Sequence, residues 1–531
     1  MGQSMPPRSA EGSAVESIGG DTRAPGVGSG RGGAVALVRS LVWVVDQVAR
    51  YAAAAGRARA GKPPVRPGEL PEHEEAAKLA LRRCTARHRE ASLHLQSLPD
   101  ALVLNGSTLD SEALAGEPVL QRLQQRMQQL GVGTIQVRQW VTAGEVLALA
   151  RLLAAGRRPD EEAARSGPLL GSWSTMVTTV QDDAPRPALR LAPDAEQAVA
   201  AMAATRTTAD AVHATPAVVA ALHAAVQRDD DEAVEAIARA ALTWAQALGG
   251  GPGRLSAEWL LRELVAAPVL PLLIRRLPHT RAPLPLYQVL ARGGEAVTRL
   301  LFERLPGGEV AFARRAYFDA IEAIDVGATF LLEQLQDPRW IVVRNAATLL
   351  GSLRVADAEE ALIGALRHAE ERVRVAVARA LLVLGTARGL RELHAAIGDA
   401  NAEVRRLAAA AYGVPGSGPG GGRPETHRLV GALERERDED VLLEMLASLG
   451  SLGSSAAVQR LVRIALPVPE GAITSVDYAV AQDSWMRVAA LEALVRARGH
   501  YARNAVDSLL NDADPEVADA ARRLAPTVEL R

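Results

Sequence analysis

His73, Glu74 and Glu75 resemble the start of a zinc-binding helix, in which a second histidine one turn later would complete the metal face and a glutamate would act as general base. Ala76 and Ala77 follow instead, and that second histidine is absent. The other histidines are scattered at spacings unlike metal ligands. Gly28-Ser29-Gly30-Arg31-Gly32-Gly33 fits a GxGxxG string. Its glycines would let a backbone approach a pyrophosphate, but no strand precedes it, so the match is by chance. Ser417 lies between Gly416 and Gly418, yet Pro415 and Pro419 replace the strand-to-helix elbow that a nucleophilic serine needs. Asp229-Asp230-Asp231 reads as a solvated loop ahead of a helix. Cys84 is the only cysteine; a buried thiol is the default reading, and Arg82, Arg83 and Arg87 nearby are what a reactive thiolate would require. None of these strings amounts to a catalytic set, and no metal or cofactor is expected.

Composition points the same way. The chain has 531 residues, too many for one compact core. Its 60 basic and 62 acidic residues leave no field to steer it toward nucleic acid or an anionic membrane. Lys62 and Lys78 are the only lysines, so lysine-based covalent chemistry has few candidates. A single cysteine favours a reducing compartment. Pro6 spoils an acylation signal at Gly2, and Arg39, Asp46 and Arg50 make the apolar run from Ala34 an amphipathic helix rather than a leader. A cytoplasmic location is the expectation.

Along the chain, Gly, Ser and Pro without hydrophobic period predict a disordered tail over 1–33. Residues 34–156 mix periods and predict a small α+β domain. Its helices span Val35–Ala55, Glu72–Arg89, Pro118–Leu130 and a segment capped by Thr142 and Glu145; its strands span Ser92–Gln96, Ala101–Leu104 and Thr134–Arg138, with a turn at Asn105-Gly106. Residues 157–194, with Pro159, Pro168, Pro185, Pro187 and Pro193, read as a linker. Only helical spacing follows: irregular helical repeats over 195–336, and regular ones over 337–531 with insertions at 416–422 and 467–482.

The regular part carries the strongest signal. An acidic turn, a Val-Arg pair and small residues four and seven places later recur around Val343, Val373, Val404, Val441, Met486 and Val517. The intervals are 30, 31, 37, 45 and 31 residues. Such a period means helix pairs that bury their apolar faces only by stacking. The predicted core of each second helix is Ala347 and Leu350, Val377 and Ala380, Ala408 and Ala411, Ala490 and Ala493, and Ala521 and Leu524.

This pattern resembles HEAT repeats, most closely in Asp337-Pro-Arg-Trp-Ile-Val-Val-Arg-Asn and Glu371-Arg-Val-Arg-Val-Ala-Val. Together with Arg314-Arg315-Ala-Tyr-Phe-Asp319, it is similar to a bacterial group of large HEAT-repeat proteins with an N-terminal α+β module. The resemblance implies a mainly α solenoid of stacked antiparallel helix pairs. It also implies a structural ladder in which Arg344, Arg374, Arg405 and Arg487 bridge acidic turns such as the one at Asp337, while Leu442 and Ala518 interrupt it. Asn345, Arg379 and Arg406 avoid the core positions and are expected to point outward toward a partner, while Trp340, which opens one of these helices, is either a contact anchor or a ring packed between repeats. The expected function is a non-enzymatic scaffold or adaptor that binds another protein. The alternatives are an enzyme, or an enzyme's regulatory subunit, of the HEAT-like lyase or DNA-glycosylase type, or a sensor-type signalling component.

Overall fold

The computed structural model describes residues 31–59, most of 73–155, 175–179, and 191–529 apart from short spans, chiefly 248–251, 307–310, 415–422 and 467–482. The expected tail lies outside the described residues, except for Arg31, Gly32 and Gly33, which open α1. The cap at Thr142 and both insertions also lie outside them. The chain divides into two compact units, Met1–Asp182 and Asp183–Arg531.

The first unit comprises α1 (Arg31–Arg59), β1 (Leu93–Ser97), β2 (Ala101–Leu104), β3 (Ser107–Asp110), α2 (Ser111–Ala115), α3 (Pro118–Gln129), β4 (Val132–Val137), α4 (Ala143–Ala155) and β5 (Thr175–Thr179). The strands form an antiparallel sheet in the order β3-β2-β1-β4-β5. Alternation sets its inner face: Leu93, Leu95, Leu102, Leu104, Ile135 and Val137 are buried in one core with residues of α1, α3 and α4. Leu95 is paired with Leu104 on one side and Ile135 on the other. Asn105 turns the chain with φ +47°, and its Oδ1 accepts from the His94 N–H at 2.6 Å. Buried Gln124 donates to the carbonyls of Leu98 and Ala101, tying α3 to the β1–β2 turn. Two strands exceed the sequence expectation. β3 completes a hairpin, and β5 falls inside 157–194, so part of the expected linker is the sheet's fifth strand, paired with β4. Cys84 is fully buried, with the Ser40 hydroxyl 3.8 Å from its sulfur.

The second unit is helical throughout its described residues. It begins with α5 (Pro193–Ala204), α6 (Thr208–Gln227), α7 (Asp231–Ala247), α8 (Pro252–Glu263), α9 (Leu270–Arg276), α10 (Leu284–Leu290), α11 (Gly294–Arg304) and α12 (Ala311–Ile324). Six helix pairs follow: α13 (Ala328–Gln334) with α14 (Trp340–Ser352), α15 (Glu359–Ala365) with α16 (Glu371–Leu384), α17 (Ala387–His394) with α18 (Ala402–Tyr412), α19 (Arg423–Leu433) with α20 (Glu439–Leu452), α21 (Ser455–Ala465) with α22 (Ser484–Ala497), and α23 (His500–Leu509) with α24 (Pro515–Glu529). The second helices touch in sequence from α14 through α16, α18, α20 and α22 to α24, which is a solenoid. Every anchor residue is buried, and so are the predicted core positions except Leu524, which is partly buried. Helix starts are set locally. The side chains of Asn401, Asp438 and Asp514, three places before their anchors, each accept from a backbone N–H of the first turn.

Candidate functional site

The polar groups that organise the repeats lie in the turns between paired helices. The residue five places before an anchor does two jobs. Oδ1 of Asp399, Oε1 of Glu436 and Oδ1 of Asp512 each accept from the backbone N–H two residues on, which fixes their own turn. Each carboxylate also receives a two-pronged arginine from the preceding repeat. Arg374 donates Nε and Nη2 to Asp399, both at 2.8 Å. Arg405 donates to Glu436 at 2.7 and 3.0 Å, and Arg487 to Asp512 at 3.0 and 2.5 Å. The spare nitrogen of Arg374 caps the carbonyls of His368 and Ala369, and that of Arg405 caps Asp399 and Ala400. Arg487 uses its Nε on the Ala465 carbonyl.

The electrostatics follow from this geometry. Burial pushes the Asp399 carboxyl up, but the Arg374 bonds outweigh it and hold the group below its ordinary range. The Glu436 carboxyl is lowered against burial by Arg405, and the Asp512 carboxyl is lowered by its bonds to Arg487.

Two expected rungs depart from this scheme. Asp337 accepts from the Arg339 backbone at 2.8 Å, but its guanidinium partner is the same exposed Arg339, a local tie rather than a bridge between repeats. Arg344 faces no acid at the corresponding position of the next turn's sequence, because the residue five places before Val373 is His368. The His368 Nδ1 accepts from the Glu370 N–H at 3.0 Å, so it serves its own turn but brings no carboxylate. Arg344 donates instead to Asn345 Oδ1, at 3.2 and 2.7 Å. Burial, with the charges of Arg314 and Arg372, pushes Arg344 down to about 10.

Two residues expected to face a partner are inside. Asn345 is fully buried, and Arg406 is only 7% exposed. Arg406 donates to both oxygens of Glu403 at 2.8 Å and reaches Glu444 at 3.5 Å, while Arg379 reaches Glu403 at 3.4 Å. These four residues tie α16, α18 and α20 together. The physical reason is that a second helix is covered both by its own first helix and by neighbouring second helices, so its buried face is wider than the apolar stripe. Trp340 is partly exposed and lies between two guanidiniums, with Arg344 Cζ 5.5 Å and Arg372 Cζ 5.1 Å from its ring centre.

The irregular half has its own ties, which sequence reasoning missed. Buried Glu235 accepts from Arg276 at 2.5 Å, from Arg239 at 2.9 and 2.7 Å, and from the Thr280 hydroxyl at 2.5 Å. Arg275 pairs with Asp229 and Asp231, so that acidic run is a bridge from the start of α7 to α9 rather than a solvated loop. A cavity of about 340 Å³ is lined by Leu242, Gln246, Arg254, Glu258, Gln288 and Arg292 among others, with Arg292 paired to Glu258. Among the described residues no cluster of His, Cys, Asp and Glu could hold a metal ion.

None of the curated proteins compared matches the chain. Among solved structures it is similar to an engineered protein, with 17% identity over 64% of this chain and 99% of that one and a TM-score of 0.28. It is also similar to the complex of CpcE and CpcF of phycocyanin lyase from Nostoc sp. PCC7120, with 17% identity over 49% of this chain and 94% of that one and a TM-score of 0.24. Likeness at these scores carries no argument about function. The family model for HEAT repeats matches residues 328–413, which contain the first three anchors and the Arg374–Asp399 rung.

Proposed function

We propose that this protein is a non-enzymatic scaffold that binds another protein through its helical-repeat unit. The observation that carries the reading is the unbroken succession of second helices from α14 to α24, stiffened by arginine–carboxylate rungs between repeats. Such a wall presents side chains at fixed spacing, which suits recognition of an extended partner surface. Exposed apolar groups add support. Of the large hydrophobic side chains exposed among the described residues, Val212, Leu255, Trp259, Leu284, Leu300 and Val326 all lie in the irregular half. Leu255 and Trp259 are one turn apart on α8, at 70% and 44% exposure, and apolar groups left on one face mark interaction sites. α6 is long and apolar enough to cross a membrane. Its Val218, Leu222 and Ala225 are buried, and it packs on α5, α7 and α8.

The test is cross-linking of the full chain in lysate of its native host, followed by mapping of the linked peptides. Links that concentrate on the repeat unit in one partner are expected. Links confined to the first unit would overturn the reading.

A further inference from the structure

We infer that the cavity between α7, α8 and α10 is a docking site for a peptide segment of a protein partner in which an aliphatic side chain stands beside a carboxylate. The inference deepens the scaffold reading and rests on it.

Size and lining are the first support. The cavity holds about 340 Å³, near the lower end of the roughly 300–1,000 Å³ typical of ligand pockets. That is room for a side chain and its flanking backbone rather than for a large cofactor. Leu242 and Ala245 of α7 line it and are otherwise buried, so it offers an apolar surface that an aliphatic group can cover.

The amides at its edge are the second support. Gln246 Nε2 donates to Gln288 Oε1 at 3.4 Å, a long bond that joins α7 to α10. Among the described residues the Gln246 oxygen and the Gln288 nitrogen have no partner of their own. A neighbouring acceptor and donor are what the N–H and C=O of a peptide backbone require.

Charge is the third. Arg292 and Glu258 line the cavity as a pair, whereas Arg254 is exposed and has no acidic partner among the described residues. The lining therefore carries a cation in excess. A carboxylate on the occupant would meet Arg254 as Asp399 meets Arg374 elsewhere in the chain.

The surroundings say that the occupant is a length of chain. Leu284 lies one turn before Gln288 on the same stripe of α10, and Leu255 and Trp259 each follow a cavity residue on α8. All three are exposed, so apolar surface continues beyond the cavity on both helices.

The experiment is fluorescence anisotropy at low salt with the full chain and a labelled Glu-Leu-Glu-Leu-Glu peptide, with Gln-Leu-Gln-Leu-Gln as the uncharged probe. Wild type is expected to bind the glutamate peptide about tenfold more tightly, the gain typical of one charge-assisted hydrogen bond. Arg254→Gln should remove that preference, weakening the glutamate peptide by about tenfold and leaving the glutamine peptide unchanged. Ala291→Leu, which adds bulk to the cavity lining, should weaken both peptides alike. Arg388→Gln, which breaks an exposed pair with Glu360 elsewhere, is the control and should bind as wild type. Arg254→Gln should also melt as wild type, which separates lost binding from lost folding. Absence of binding by wild type, or wild-type affinity of either cavity variant for the glutamate peptide, would overturn the inference. Displacement of the peptide by an equal concentration of glutarate would overturn its assignment to a chain segment. A host partner that cross-links to the repeat unit of both cavity variants at wild-type level would sink this inference and leave the scaffold reading standing.

Discussion

Gly351 on α14 is pressed against Ala380 on α16 so closely that a Cβ on the glycine would lie 2.7 Å from the Cα and Cβ of the alanine. Gly450 on α20 repeats the relationship with Ala493 on α22, where an added Cβ would meet a backbone carbonyl oxygen at 2.6 Å. Small residues at these crossings let the second helices approach one another. Backbone atoms cannot swing aside as a long side chain would, so a methyl group there must separate the helices.

Gly351→Ala is therefore expected to destabilise the repeat unit by about 1–3 kcal/mol, the usual cost of overpacking. The matched control is Gly364→Ala on α15, where an added Cβ meets nothing within 4 Å. Alanine is the better helix former, so that variant should be neutral or stabilised by up to about 1 kcal/mol. Thermal melts of the two variants check this. A Gly351→Ala protein as stable as the Gly364→Ala protein would contradict the close crossing.

The Arg374–Asp399 rung predicts a coupling. Both side chains are less than 15% exposed, and the guanidinium makes four bonds in all. Arg374→Ala should cost about 1.5–3 kcal/mol, as for hydrogen bonds to charged groups. Arg374→Lys should recover only part of this, since a point charge cannot reproduce the fork. In a double-mutant cycle with Asp399→Ala, additive losses would show that the rung contributes nothing as a pair.

The stacked helix pairs and their buried anchors were legible because periodicity records burial directly: Val343, Val373 and Val404 lie where the spacing puts them. The receiving acids were harder to assign. Asp399 lies 25 residues beyond Arg374, but Glu436 lies 31 beyond Arg405, because an insertion stretches that repeat. Asn345 and Arg406 were misread because positions outside the apolar repeat were taken as exposed, whereas each is hydrogen-bonded inside the stack. β5 was missed because Thr175–Thr179 sits in a Pro- and Gly-containing stretch, and only its pairing with β4 identifies it.

Stability should depend on pH through the rung acids. Asp399, Glu436 and Asp512 have folded pKa values below their unfolded ones. Their contribution is thus complete above the unfolded values, about 4, and is lost as pH falls through the lower folded values. Asp399→Asn should melt below wild type at neutral pH, and the gap should close as pH drops toward about 2. A gap that stays constant across this range would show that the Asp399 charge does not stabilise the fold.

The set of buried Arg406 and Glu444 with partly buried Arg379 and Glu403 gives the sharpest contrast between breaking a charge network and replacing it. Burial alone would lower the Arg406 pKa, but Glu403 and Glu444 raise it overall, so it is a cation inside the stack. Glu403 is held low by Arg406 and Arg379 despite burial that pushes it up. Arg406→Met removes one cation and leaves partly buried Glu403 and buried Glu444 with Arg379 as the remaining cation of the set, with an expected cost of about 3–5 kcal/mol. Replacing the set together, with Arg379→Met, Arg406→Met, Glu403→Gln and Glu444→Leu, removes the uncompensated charge and should restore much of that loss, because desolvation no longer has to be offset. Chemical denaturation of both variants decides between these outcomes. A quadruple variant no more stable than Arg406→Met would mean that the network holds α16, α18 and α20 in register through its hydrogen bonds, and not merely by cancelling its own charge.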